Sequence, residues 1–454
     1  MNGVRFKLSV MMFLEFFIWG AWYPLIFGYL PSLGFGPWEQ WIILGAFNLA
    51  AVAALFFSTQ FADRNFAAEK FVGFSHLIGG LAILALFWIR KPGPDESAPF
   101  WPFFGLMLLH CLFYVPTISI TNSIAFANLR DPQKEFGPVR LWGTIGWIAA
   151  AWPFVFILID WSKVPALEES SFFDWLATAL GMAKKDSAFR EATAYTFVAA
   201  GGASLLLAAF SLFLPHTPPK PAEIAEEKLA WLEAMKLLAI PFVLVLFVVT
   251  FFDSTVHQLF FFWTERYLTA TPEHHGVGIP SNWATPVMSI GQVAEIGTLA
   301  FLALALKRLG WRNTMVIGIL GHAIRFTVFA LFPYTVPAIL VNVLHGICYA
   351  FFFATVYMFV DEFFPKDARS SAQGLFNVLI LGLGPFVGNF IGPRLGLWFE
   401  DGTYVDAEGK SQPIVDFSKL FLVPAAMALF AALLLLLFFR PPAKAESATK
   451  QEMH

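Results

Sequence analysis

The residues of this chain that can do chemistry are few, and they sit in apolar surroundings. Glu15 lies inside MMFLEFFIWGAWY, and Gln292 and Glu295 lie inside MSIGQVAEIG. Asp253, His257 and Gln258 fall together in FFDSTVHQLFFFW. His322 with Arg325, and His345 with Tyr349, stand in the two apolar runs that follow Glu295, while Asn48, His76, His110 and Asn122 are spread through the first half. A charged group inside a bilayer costs at least ~2.5 kcal/mol on insertion scales, so it persists where it binds a ligand, carries a proton or pairs with another group.

Helical spacing sorts these residues into faces. Arg140, Thr144 and Trp147 stand at i, i+4 and i+7, as do Glu15, Trp19 and Trp22, and Gln292 and Glu295 stand at i and i+3. Each set joins a polar or ionisable group to neighbours that pack or bond a ligand. A small polar molecule with a flat ring suits such walls: the ring stacks on Trp or Phe, its edge bonds Gln, and its hydroxyls bond Glu or Arg. Other readings stand beside this one. Arg140 can anchor at the headgroups by snorkelling. Arg325 can pair with a carboxylate, His76 and His322 can be packing residues, and Asn48 and Asn122 can bond between helices. The glycines of GLFNVLILGLGPFVGNFIGP serve close helix packing. A carboxylate in mid-span has fewer structural uses, so Glu15 and Glu295 are the residues expected to hold a proton.

The elements that must position these groups are membrane helices. Of 454 residues, 58% are hydrophobic and 13% are charged, with a mean hydropathy of +0.66; soluble domains carry about a quarter charged residues. The net charge of −3 offers no basic bulk for nucleic acid, so no nucleic-acid partner is expected. Cys111 and Cys348 both lie in apolar runs and predict no disulfide. The first apolar run has no clear small-residue cleavage site and is kept as a span. A spanning helix needs about 20 mostly apolar residues. Twelve such runs fall near 6–30, 39–61, 69–89, 100–125, 138–160, 193–214, 237–262, 283–306, 312–333, 336–360, 370–396 and 418–439. Residues 161–192 read as a loop. Residues 215–236, PHTPPKPAEIAEEKLAWLEAMK, read as a cytoplasmic linker between six-helix halves at 1–214 and 237–440, followed by a cytoplasmic tail at 441–454. Placing both termini and the linker on one side puts 18 of the 29 Lys and Arg residues there, which predicts cytoplasmic termini.

An all-α integral membrane protein of twelve helices in two six-helix halves looks like the major facilitator plan, in which the halves rock about a midplane site. FADRNFAAEK, between the second and third runs, resembles that superfamily's loop signature through Asp63 and Arg64, with Phe61 where a glycine is usual. No HExxH, GxSxG, Walker A or clustered metal-ligand spacing occurs, so no enzyme, metal or cofactor is expected and transport must draw on an ion gradient.

Six ordered segments carry a narrower resemblance: FLEFFIWGAW (13–22), FYVPTISITNSI (113–124), PVRLWGTIGWI (138–148), MSIGQVAEI (288–296), IRFTVFALF (324–332) and RSSAQGLF (369–376). Together they resemble the bacterial nucleoside:proton symporter family over nearly the whole chain. The resemblance implies proton-coupled nucleoside import by alternating access in the bacterial cytoplasmic membrane, with nucleoside, protons and lipid as partners and a monomeric chain. It implies substrate contacts at Arg140, Thr144, Trp147, Thr255, Gln258, Gln292, Glu295, His345 and Tyr349. Trp147 replaces a family Phe, His345 stands where a family Tyr occurs, and Ala350 falls where a family Asp is linked to coupling. Glu15 stands at a family Gln, so the titratable carboxylate is expected to have moved to the first span, with Glu15 and Glu295 sharing the coupling. The alternatives are a nucleoside facilitator without strict coupling and a proton-linked sugar or oligosaccharide carrier.

Overall fold

In lipid a backbone must satisfy its own hydrogen bonds, so long apolar runs become helices. The computed structural model describes residues 3–57, 66–93, 95–167, 171–219, 235–364, 369–406, 409 and 411–440. Asp63 and Arg64 of the loop signature, most of the expected linker, and the expected tail lie outside the described residues. The first part of the chain forms α1 (Gly3–Ser32), α2 (Pro37–Phe57), α3 (Ala68–Ala85), α4 (Phe100–Asn128) and α5 (Pro132–Ile157). It continues with α6 (Phe172–Gly181), α7 (Asp186–Thr193) and α8 (Tyr195–Phe210). Then come α9 (Pro241–Thr269), α10 (Ala284–Leu331), α11 (Thr335–Phe363), α12 (Ala372–Trp398) and α13 (Phe417–Phe438).

Ten segments among the described residues are long and apolar enough to cross a membrane. The difference from twelve has two sources. The 21-residue α2 carries Glu39 in its first turn and is not among the ten. The 48-residue α10 joins two expected spans end to end and breaks at Gly310, whose φ of 74° is left-handed backbone that glycine adopts without a Cβ penalty. Counting α2 and both limbs of α10 restores the expected twelve.

One expectation is corrected, and one element is added. Residues 161–192 are not simply a loop: they contain α6 and α7, and an isolated bridge joins Ile159 to Ala183. The region after α12 folds into an antiparallel hairpin of β1 (Glu400–Val405) and β2 (Ser411–Val415), a small addition to an otherwise helical chain.

The chain clusters into two compact units, each discontinuous in sequence. One contains residues 1–221, 261–289 and 392–416. In it α1 packs along α5 and α8, and α3 packs on α4 and α8. The α1–α5 contact depends on two glycines. A Cβ on Gly146 would strike the Phe13 carbonyl, and one on Gly20 would lie 2.9 Å from the Trp147 carbonyl oxygen. Backbones that close bring Trp147 against Trp19. The other unit contains residues 222–260, 290–391 and 417–454. A close crossing joins α10 to α11: a Cβ on Gly346 would strike the Glu295 amide nitrogen, and one on Gly291 would lie 2.7 Å from the His345 Cβ. Two wider π-helical turns, Tyr349–Ala354 and Val378–Leu383, interrupt α11 and the start of α12. Such turns recur at functional sites.

Candidate functional site

In the first unit, Glu15 is fully buried and bonded on both oxygens. Its Oε2 lies 2.9 Å from His76 Nε2, and Thr117 Oγ1 donates to its Oε1 at 2.9 Å. Ser204 Oγ donates to the His76 carbonyl at 3.0 Å and also lies 3.0 Å from His76 Nδ1. The single hydroxyl proton is therefore committed, so His76 Nδ1 is the donor to Ser204. The Glu15–His76 bond then contains one proton, on either the carboxyl or the imidazole. His110 is different. Its Nδ1 donates to the Gly79 carbonyl at 2.9 Å and its ring stacks 5.3 Å from Tyr114, tying α3 to α4.

The expected Glu15–Trp19–Trp22 face divides. At about 100° per residue, Trp19 lies some 40° round α1 from Glu15. Glu15 faces α3 and α4, and Trp22 meets His110 edge-on at 6.0 Å. Trp19 instead meets Trp147 at 5.2 Å and stacks on Phe47 at 4.9 Å. Tyr23 and Phe261 extend this aromatic surface: Tyr23 is 5.5 Å from Phe261, and Trp147 is 6.3 Å from it. The half-buried Trp19 has no hydrogen-bond partner for its indole N–H among the described residues. Arg140 shares the Trp147 side of α5, as the spacing predicts. Its guanidinium carbon lies 3.9 Å over the Phe16 ring, a cation–π contact. Among the described residues no carboxylate lies within ion-pair distance of Arg140.

In the second unit, α9, α10 and α11 bring Asp253, His257, Gln292, His322, Arg325 and His345 together. Arg325 is fully buried and donates from Nη1 to His345 Nδ1 and from Nη2 to His322 Nδ1, both at 2.8 Å. Gln292 Nε2 lies 3.4 Å from His345 Nε2, and the His257 ring stacks 4.9 Å from that of His345. Tyr349 is half-buried, 6.4 Å from His257 and 5.8 Å from Phe353. Glu295 is half-buried one turn from Gln292. Thr255 and Gln258 bond to α12 instead. Thr255 Oγ1 is 2.8 Å from the Phe251 carbonyl and 3.2 Å from that of Gly384, and Gln258 Nε2 donates to Asn389 Oδ1 at 2.7 Å. Ala350 is fully buried.

Sequence reasoning singled out Glu15 but treated His76, its bonded partner, as packing. It also left Asp253, His257, His322 and Arg325 out of the site. The signal was present: Asp253 and His257 stand at i and i+4, and His322 and Arg325 at i and i+3, so each pair shares a helix face. Arg325 meets two imidazoles and the Phe260 ring at 3.9 Å, and no carboxylate within ion-pair distance among the described residues. No group of three or more described His, Cys, Asp or Glu residues is arranged to hold a metal ion.

Comparison with known proteins assigns this arrangement to a family. The profile of the family described as Nucleoside H+ symporter matches residues 1–182 and 170–444. The chain is 31% identical over 441 residues to YegT of Escherichia coli (strain K12), covering 96% of this chain and 93% of that one. It is 25% identical to the xanthosine permease of the same organism over 453 residues, 96% of each chain. Among solved structures, that of the nucleoside transporter NupG superposes with a TM-score of 0.75 at 23% identity, covering 97% of this chain and 100% of that one. A D-xylose–proton symporter shares the fold at a TM-score of 0.64 and 14% identity, over 97% and 99% of the two chains. These likenesses confirm the major facilitator fold. The chain is a membrane transporter rather than an enzyme, and it belongs to the nucleoside:proton symporter family.

Proposed function

We propose that this chain imports nucleosides across the bacterial cytoplasmic membrane as a monomer with cytoplasmic termini. Residues 1–214 and 237–440 act as two six-helix halves that rock in alternating access, joined by 215–236. The aromatic surface around Trp147 takes the base, with Thr144 beside it. Arg140 offers planar donors to base or ribose oxygens. Gln292 and Glu295 bond the polar edge and hydroxyls, with His345 and Tyr349 completing their surroundings. Thr255 and Gln258 brace α9 against α12 behind this face. Glu15, with His76, holds the coupling proton, and Glu295 shares the role. The relatives named for nucleosides and for xanthosine support nucleosides as the cargo class.

The observation that carries the coupling assignment is the fully buried Glu15–His76 hydrogen bond of 2.9 Å. It contains a single proton between two titratable groups, at a place where charge is costly. The test is uptake of labelled uridine and adenosine by cells lacking their own nucleoside carriers, with and without a protonophore. Uptake that exceeds equilibrium and collapses with the protonophore is expected. Uptake that only equilibrates overturns the coupling, and no uptake by inserted protein overturns the nucleoside assignment.

A further inference from the structure

The second unit contains a buried carboxylate that the roles above do not use. Asp253 is fully buried, and neither carboxylate oxygen has a hydrogen-bond partner among the described residues. The ion-pair contact it makes is to His322 Nε2, 3.7 Å from Oδ2, longer than a hydrogen bond. Both Asp253 oxygens are thus open to a proton, unlike those of Glu15, which are already bonded.

The neighbours of Asp253 form an ordered chain. Arg325 has only donors, so the Nδ1 atoms of His322 and His345 that it touches must be acceptors. Each neutral imidazole then carries its proton on Nε2. The Nε2–H of His322 points toward Asp253. The Nε2–H of His345 faces the Gln292 amide, whose oxygen accepts it once turned to the ring. In the order Asp253, His322, Arg325, His345, Gln292 the donors therefore point outward from Arg325 toward both ends, and the approach of His322 Nε2 to Asp253 stays open at 3.7 Å.

Among the described residues no other base lies within ion-pair distance of Asp253. α9 itself brings His257 one turn on. α10 brings His322 and Arg325, with Glu295 further back on its first limb. α11 brings His345, Tyr349 and Cys348, which is within electrostatic reach of Asp253 and Arg325. α12 meets this part of α9 through Gly384 and Asn389, and α13 meets it through Phe430, none of them titratable.

We propose that Asp253 is a proton-binding site and that His322, Arg325 and His345 transmit its charge state to the substrate residue Gln292. A proton from solvent bonds to one Asp253 oxygen; no other bond breaks, and the charge of the cluster rises by one. Arg325 then loses its nearby countercharge. Its pull on the Nδ1 atoms of both imidazoles strengthens, which makes the His345 Nε2–H a better donor to Gln292. Proton and substrate thereby favour each other's binding. This rests on the nucleoside:proton reading, and adds a second proton site to it.

Two measurements test it. The first is the KM for uridine against pH, with substrate counterflow as the control for folding. In the wild type KM falls as the pH is lowered, by about tenfold, within the roughly 5–150-fold range of typical coupling between two sites. Asp253→Asn mimics the protonated form, so its KM stays low at every pH and it carries out counterflow without accumulation. His322→Leu leaves Asp253 titratable but removes both the acceptor for Arg325 and the N–H toward Asp253, so KM ceases to follow pH. The second is a pH-step infrared difference spectrum of the purified protein, which needs no substrate. A carboxylic-acid C=O band is expected, with its Asp253 component lost in Asp253→Asn and retained in His322→Leu. An unchanged band in Asp253→Asn, or wild-type accumulation and pH dependence by that variant, overturns the proton site. Wild-type pH dependence in His322→Leu overturns the transmission. Absence of nucleoside uptake by the wild type defeats the functional reading instead, and the infrared band still decides the proton site.

Discussion

Replacing Glu15 by glutamine should remove a titratable oxygen and almost nothing else. The amide nitrogen takes the place of Oε2 and donates to His76 Nε2, now 2.9 Å from that oxygen, while His76 Nδ1 stays on Ser204. The amide oxygen takes the place of Oε1 and accepts from Thr117. Every hydrogen bond survives, so stability should remain within about 1 kcal/mol of wild type. The transport consequence is much larger. An imposed potential of about 100 mV supplies roughly 2.3 kcal/mol per elementary charge moved. With tenfold in an equilibrium constant for every 1.4 kcal/mol, one proton carried with each neutral nucleoside supports roughly 50-fold accumulation. Proteoliposomes with a clamped potential should show this ratio for the wild type. Glu15→Gln should bring it to about one, with counterflow retained because exchange needs no net proton movement. Accumulation by Glu15→Gln to the wild-type ratio refutes Glu15 as the coupling carboxylate. Glu15→Leu provides the structural contrast. It leaves buried His76 Nε2 without its acidic partner, at a cost of about 1–3 kcal/mol read as a lower melting temperature.

Three further substitutions separate ligand contacts from scaffold. Arg140→Lys keeps the charge but loses the planar fork, so the KM for uridine should rise about tenfold, near the low end of what a charge-assisted hydrogen bond is worth; a headgroup anchor would leave KM unchanged. Trp147→Ala should raise the nucleoside KM by about ten- to hundredfold, from the roughly 1–3 kcal/mol of base stacking, while Trp147→Phe should recover most of it; equal KM values in both would exclude stacking. Gly346→Val should destabilise the protein by about 1–3 kcal/mol in thermal unfolding and slow uptake, because the added Cβ meets the Glu295 backbone rather than a movable side chain. A melting temperature and uptake rate equal to wild type would refute the close α10–α11 crossing.

What was legible in the sequence follows the range of the interactions. Apolar runs announce their own helices, because lipid leaves the backbone no other partner, and among the described residues each of the twelve expected spans falls on a helix. Local charge misled at 161–192: Asp186 and Arg190 made α7 read as loop, although its 8 residues close a short polar helix. Faces were legible where residues share a helix, as with Arg140 and Trp147. Partners on different helices were not. His76 is 61 residues from Glu15, and Asp253 and His322 are also far apart in the chain, so no spacing rule joins either pair. Both units nevertheless arrive at the same pairing, a buried carboxylate facing an imidazole, one closed at 2.9 Å and the other open at 3.7 Å. The fully buried Ala350 explains why that repetition matters. With no carboxylate at the span-ten position, proton binding has to be carried by groups elsewhere. A chain that keeps two carboxylate–imidazole pairs, at different stages of closure, has two places where adding one proton changes the charge of a helix contact. Transport then couples to protons through both pairs, and the double variant Glu15→Gln/Asp253→Asn should exchange nucleosides without accumulating them, as each single variant does.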